Sequence, residues 1–319
     1  MSAAAPPTVT TPPPRRRLDW SGYLFLLPNA AGFLTFTLVP VLAAFLLSFT
    51  RWDAVESWRG IHFVGLANYV EILGFARDAT GLAPRDEYFW RYMYNTVFLM
   101  LGIPIGMALS FVCALLMNQN LRGITFYRVI FFLPTVCSTV AVAVVWRWVY
   151  DADWGLLNQG LQLLGADSPP RWLQDPSWAK PALILMGLWM GVGGYNCVLY
   201  LAGLQNIPQE LYEAAELDGA NWWHRVRGIT WPMLAPTTFF ILVMSLISGF
   251  QGHFVAIHIL TAGGPAGATT NLLYYIYQSA FNHQKMGYAC ALAMILFVLI
   301  FACTMVQWRL GKRSTEVSL

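Results

Sequence analysis

Glu210, Glu213, Glu216 and Asp218 crowd into one short stretch, and His224, Arg225 and Arg227 follow directly, all but Glu210 within the run YEAAELDGANWWHRVRGITWPML at 212–234. The three glutamates recur every third residue and make a slowly drifting acidic stripe on a helix. Leu211, Ala214 and Ala215 add a flat surface beside it that another backbone could approach closely. Residues of these types offer binding chemistry: a charged, small-residue face for a partner. The same spacing also suits a solvated amphipathic loop, and spacing alone does not separate the two. Pro208 favours the first helical turn, where Glu210 meets the positive end of the dipole. Asp218-Gly219 ends the helix, because glycine accepts the left-handed conformation there. Asn221 can cap a second helix running through Trp231. Trp222 and Trp223 would then lie near lipid headgroups, with Arg225 and Arg227 facing water or phosphate.

Other chemistries find no support. No stretch matches GxxxxGK[ST], and Gly311-Lys312-Arg313 lacks the upstream glycine spacing, so nucleotide hydrolysis must come from another chain. GxSxG, HExxH and paired carboxylates inside the apolar segments are missing as well. Without Asp or Glu in those segments, a proton-driven carrier loses the groups it needs near the midplane. Cys113, Cys137, Cys197, Cys290 and Cys303 show neither CxxC pairing nor metal-ligand spacing and are expected as small core residues, with no metal site. His62 and His283 are isolated and expected at the surface. Polar groups inside apolar stretches are the remaining candidates: Gln251, Gly252, His253 and His258 in one, Tyr195 and Asn196 with Trp189 one turn earlier in another. Gln251 and His258, seven apart, share a helix face, while His253 points away unless the glycines break the helix. Such groups also bridge helices by hydrogen bonds in membranes.

The elements that must position these residues are membrane helices. Only 11% of the 319 residues are charged and 57% are hydrophobic, against roughly 25% charged in soluble domains. A bilayer core of about 30 Å needs about 20 apolar residues. Six segments qualify, near 23–49, 94–117, 126–150, 181–205, 236–260 and 286–309. Pro28, Pro40, Pro104, Pro134 and several glycines inside them point to a packed bundle around a pathway. Residues 1–19 cannot bury a core and read as a tail, followed by a retained first span rather than a cleaved leader. Residues 314–319 read as a second tail. Arg15, Arg16, Arg17, Lys312 and Arg313 beside the ends of the outermost spans put both termini, and the charged loop 206–235, on the cytoplasmic side. Trp146, Trp148, Tyr150 and Trp154 would form an aromatic belt on the other. The net charge of +3 does not suggest nucleic acid.

Glu213-Ala214-Ala215, Gly219, Ile229 and Pro232 resemble the EAA loop of bacterial ABC importer membrane subunits. Trp231 departs from the leucine usual before that proline, which concerns the exit into the fifth span more than the docking face. LPNAAGFLTFTLVPVL at 27–42, FVGLANY at 63–69, LLMNQNLRG at 115–123, YRVIFFLP at 127–134 and LTAGGP at 260–265 are similar to carbohydrate-uptake permeases of the maltose and glycerol-phosphate type. The resemblance covers roughly 20–310. It implies an all-α integral membrane protein with the type I ABC importer permease fold, in the bacterial inner membrane. A second related permease, two copies of a cytoplasmic ABC ATPase holding ATP and Mg, and an extracytoplasmic sugar-binding protein are the implied partners. No cofactor is implied in this chain. Glu213, Ala214, Ala215, Asp218 and Gly219 would dock on the ATPase. Exposed ion pairs contribute only about 0–1 kcal/mol each, so the implied coupling needs a whole packed surface moving as a lever. The stretch before GGP would contribute to sugar binding, and Trp189 could stack on a sugar ring. Residues 50–93, loop 151–180 and the GGP turn would receive the binding protein. The rival readings are a self-sufficient secondary carrier, which would need internal repeats and buried ionisable groups, and an integral-membrane transferase, which would need a reactive cluster at an interface.

Overall fold

The computed structural model describes residues 20–53, 60–78, 81–119 and 122–315; the expected amino-terminal tail and residues 316–319 lie outside them. The chain divides into two units after Leu46. In the first, helix Trp20–Phe33 passes through a five-residue π segment, Leu34–Leu38, into Val39–Leu47. The Val39 amide reaches back to the Leu34 carbonyl, a widened turn placed directly before Pro40, which has no amide to give. Phe25 and Phe36 are exposed on this helix.

In the second unit, the apolar segments long enough to cross as they stand are Glu87–Met117 (span 2), Ala235–Leu260 (span 5) and Met286–Arg309 (span 6). With Leu24–Leu47 as span 1, four segments are long and apolar enough to cross a membrane. Two bent pairs raise the number to six: Ile124–Val136 with Thr139–Val149 at 97° (span 3), and Pro176–Gly191 with Tyr195–Gln205 at 42° (span 4). Span 2 begins at Glu87, capped by the Asp86 carboxylate accepting the Phe89 amide. The last helix runs on through Thr315, beyond the expected tail boundary.

Proline and glycine cause the bends. Pro134 denies the Ile130 carbonyl a helical partner, and the helix stops at Val136; Cys137 and Ser138 are extended before Thr139 restarts it. In span 4 the Gly193 backbone touches span 3, so a Cβ there would lie 2.1 Å from the Phe131 carbonyl oxygen. The Thr135 hydroxyl donates to the Met190 carbonyl at 3.3 Å, replacing part of what the bend removes.

Three apolar clusters hold the second unit. One joins Leu99, Val142, Tyr150, Leu183, Met186 and Ile257. Another joins Met107, Met117, Cys197, Tyr200, Leu204 and Leu234. The third packs span 6 through Ala291, Leu292 and Ile295 against Ile72, Phe89 and Phe250. Between spans 1 and 2 lies the short helix Ala67–Leu73, and two small antiparallel pairs accompany it, Thr50–Arg51 with His62–Phe63 and Phe75–Asp78 with Gly81–Pro84. In loop 151–180, Asn158 donates to the Ala152 and Pro170 carbonyls and accepts from Trp172 Nε1 at 2.7 Å. The Trp154 and Asp153 amides donate to the Asp151 carboxylate and hold its pKa below the usual value.

Two expectations are corrected. Tyr150 is no part of a surface belt: it is 2% exposed, and its hydroxyl donates to the Ala182 carbonyl at 2.6 Å. Trp146 stacks on it, leaving Trp148 and Trp154 open. Burial of a phenol requires such a partner. Among the cysteines, Cys113 and Cys197 are buried as expected, but Cys137, in the extended break of span 3, and Cys303 are exposed.

Gly193→Ala is expected to lower the thermal midpoint of the detergent-solubilised chain, at a cost of about 1–3 kcal/mol for the overpacked contact. Gly160→Ala, inside helix Leu156–Leu163 with nothing within 4 Å of its Cβ position, should leave it unchanged or raise it.

Candidate functional site

The charged stretch folds as a helical hairpin. Its first helix is Gln209–Leu217, with Pro208 at the N-cap rather than inside the first turn. The helix ends at Asp218, and Gly219 is left-handed at φ +77°. The Ala220 amide closes the end by donating to Ala215 at 2.8 Å. The Asn221 carboxamide oxygen then accepts the His224 amide at 2.9 Å, starting Trp222–Arg225, which continues through the π segment Val226–Thr230 into Trp231–Met233. Arg225 pairs with Glu216 across the hairpin.

One side of this hairpin is anchored. Ile207, Tyr212 and Ile229 pack on the cluster of Tyr200, Leu204 and Leu234, and the Tyr212 and Thr230 hydroxyls share a hydrogen bond of 2.9 Å. The opposite side is bare. Glu213, Ala214, Asp218 and Gly219 are exposed and Ala215 is half-buried. Leu217 is 90% exposed and Leu211 41%. Leu217 continues a three-residue ridge from Leu211 through Ala214. Sequence reasoning credited only the first part of that ridge; the same spacing carried one step further would have found the rest.

A second feature lies within the bundle. A cavity of about 220 Å³ is lined by Gly102, Gly106 and Ser110 of span 2, Gly187 and Asn196 of span 4, and Ser245, Ser248 and His253 of span 5. No charged side chain is part of this lining. Asn196 Nδ2 donates to Ser245 Oγ at 3.3 Å. Ser110 Oγ and His253 Nδ1 are buried without a protein partner. The hydroxyl, amide and imidazole groups among the lining residues suit a hydroxylated or aqueous occupant.

Of the expected pathway residues, the cavity brings together Asn196 and His253. Gly252 acts through the backbone: helix Ala235–Gln251 stops there, His253 is left-handed at φ 65°, and Phe254–Leu260 begins anew. The glycine-rich break therefore turns His253 into the bundle, and Gln251 and His258, no longer on one helix face, are both exposed outside the lining. His258 stacks on Phe254 at 6.0 Å and 4°. Trp189 packs edge-to-face on Trp146 at 5.7 Å rather than entering the cavity, and Tyr195 is exposed. Ser110, Ser245 and Ser248 were missed; a hydroxyl on an apolar helix gives no periodic signal.

The GGP turn is built with comparable care. Asn95 Nδ2 donates to the Gly267 and Thr270 carbonyls at 3.0 and 2.9 Å, and Lys180 Nζ donates to Asn95 Oδ1 at 3.2 Å. The Leu272 amide donates to Thr96 Oγ1, and Arg91 donates to the Ala266 carbonyl at 2.6 Å. Ala262 and Ala266 both have positive φ, at 50° and 48°. Each such residue costs roughly 1–3 kcal/mol and persists only because its surroundings hold it.

Residues 90–313 match the family model described as "Binding-protein-dependent transport system inner membrane component". The chain is 35% identical over 297 residues to the trehalose/maltose transport system permease protein MalF of Thermococcus litoralis, covering 91% of this chain and 93% of that protein. It is 32% identical over 301 residues to the sn-glycerol-3-phosphate transport system permease protein UgpA of Yersinia pestis, covering 93% and 96%. Among solved structures, a chain of a bacterial alginate ABC transporter, in complex with an alginate pentasaccharide-bound periplasmic protein, aligns with a TM-score of 0.75 at 26% identity, over 93% and 96% of the two chains.

A double-mutant cycle on Tyr212→Phe and Thr230→Val should return a coupling energy of about 0.5–1.5 kcal/mol in thermal unfolding, as for a shielded hydrogen bond. Additive effects would mean that the two arms of the hairpin are not joined at this point.

Proposed function

Because the chain belongs to the family of binding-protein-dependent transport system inner membrane components, we propose that it is the permease subunit of an ATP-driven importer for a sugar or sugar derivative. It spans the membrane and does no hydrolysis itself. A cytoplasmic ATPase, present in two copies and holding ATP and Mg, supplies the work. A second related permease completes the path, and an extracytoplasmic sugar-binding protein delivers the solute. Both termini and the loop 206–235 face the cytoplasm.

The observation that carries this reading is the hairpin, rigidly fastened on one face and bare on the other. Glu213, Ala214, Ala215, Asp218 and Gly219, with the Leu211–Leu217 ridge, form the docking face for the ATPase. An exposed leucine beside small residues can bury apolar area in a partner's cleft, contributing about 25 cal/mol per Å², more than the exposed charges can supply. Tyr212 and Thr230 then pass the partner's movement to spans 4 and 5 as displacement of a solid body. Solute moves beside the cavity of Asn196, Ser245 and His253, whose hydroxyl, amide and imidazole groups suit an uncharged polyol.

The complex pulled from native membranes on a tag on this chain and placed in proteoliposomes tests the reading with radiolabelled maltose, trehalose and glycerol 3-phosphate. Uptake of one of them should need both ATP inside and binding protein outside. Leu217→Asp, Glu213→Lys and Gly219→Val should each lower ATP-driven uptake by roughly 10- to 100-fold, the size of a coupling free energy of about 1–3 kcal/mol, with unchanged membrane insertion. Uptake by this chain alone under an ion gradient, or full uptake with 208–220 scrambled, would refute it.

A further inference from the structure

The break in span 5 frees backbone groups inside the bundle, and one of them is claimed from far along the chain. Asn271 Nδ2 donates to the Gly252 carbonyl at 3.0 Å, while Asn271 Oδ1 accepts the Tyr274 amide at 2.8 Å and caps helix Leu272–Tyr277. Asn271 is 1% exposed. It terminates the segment that begins at Thr261, so the GGP turn is clamped at both ends of one short stretch of span 5. The turn's outer side is tied to span 2 through Arg91, Asn95 and Thr96. Its inner side is tied to Gly252, and the next residue, His253, is the strained left-handed residue whose ring lines the cavity.

We propose that Asn271 is a positioning residue for transport, the latch through which the outer turn sets the conformation of the Gly252–His253 break and thereby the shape of the cavity. A push on the turn at Ala262 or Ala266, both exposed, moves the Asn271 carboxamide. The Gly252 carbonyl follows or loses its donor, and the His253 ring swings about the break. A carbonyl stripped of its partner away from water is costly, so the turn and the break change state together. The use of this latch in transport rests on the importer reading above; the latch itself does not.

Two substitutions test it. Asn271→Ser keeps a helix-capping oxygen but is too short to reach Gly252. Thr96→Val removes the acceptor of the Leu272 amide and touches neither Asn271 nor Gly252. Amide hydrogen exchange on the full chain in lipid nanodiscs should show roughly fivefold faster exchange over 253–258 with either variant, the factor for one lost hydrogen bond. Protection over 272–282 should survive Asn271→Ser. In the tagged native complex, both variants should weaken the response of ATP hydrolysis to binding protein while basal hydrolysis remains. Unchanged exchange over 253–258, opening spread evenly over the chain, or a full response to binding protein despite local opening would each overturn the proposal. If no ATPase co-purifies, the importer reading fails, and the exchange data still decide whether Asn271 holds the break.

Discussion

Every interruption of a helix inside a bilayer leaves amides and carbonyls that no solvent can satisfy, and this constraint organises the chain. Spans 3, 4 and 5 are all interrupted, and at the breaks of spans 4 and 5 a side chain from elsewhere makes good part of the loss. Thr135 serves the Met190 carbonyl at the bend of span 4. Asn271 serves Gly252 in span 5. Arg128 of span 3 donates to the Met117 carbonyl at the end of span 2, at 2.7 Å. The bundle is thus cross-linked where its helices are weakest, and apolar packing fills the regular stretches between. The left-handed His253 and the two left-handed alanines of the GGP turn persist inside this framework because their neighbours over-determine them.

The hairpin between spans 4 and 5 follows the opposite logic. Its polar ends are satisfied locally, by Asn221, Gly219 and the pairing of Arg225 with Glu216. Its two arms are joined by the Tyr212–Thr230 hydrogen bond, over an apolar footing of Ile207, Tyr212 and Ile229. That makes it a stiff projection with a narrow base, suited to transmitting force along one direction. In the docking proposed above, the acidic stripe would orient the partner and the Leu211–Leu217 ridge would bury apolar area against it.

Much of this was legible in the sequence where a local rule decides the outcome. Hydropathy located the apolar segments, Asp218-Gly219 and Asn221 marked the hairpin's end and restart, and the family resemblance agreed with the family later shown. What escaped depends on distance in space. Pro134 announced an irregularity, yet only the extended Cys137 and Ser138 turn it into a near right angle. Tyr150 reads as an interfacial tyrosine until the Ala182 carbonyl arrives to accept its hydrogen bond. Gln251 and His258 share a face only on an unbroken helix, and the freed carbonyl at the break, Gly252, is met by Asn271, nineteen positions away. Ser110 and Ser245 carry no period of their own, so the cavity exists only once three spans are assembled.

The near right angle in span 3 also bears on the lipid around the protein. Ile124–Val136 has 13 residues, about 20 Å of rise, set against a hydrocarbon layer of about 30 Å. Acyl chains beside that face meet a shortened wall, with the exposed Trp148 on the segment beyond the elbow. A bilayer lying against that face would thin there or tilt the bundle, each at a fraction of a kcal/mol per Å. Membrane thickness therefore becomes a variable to which this fold is mechanically sensitive on one flank.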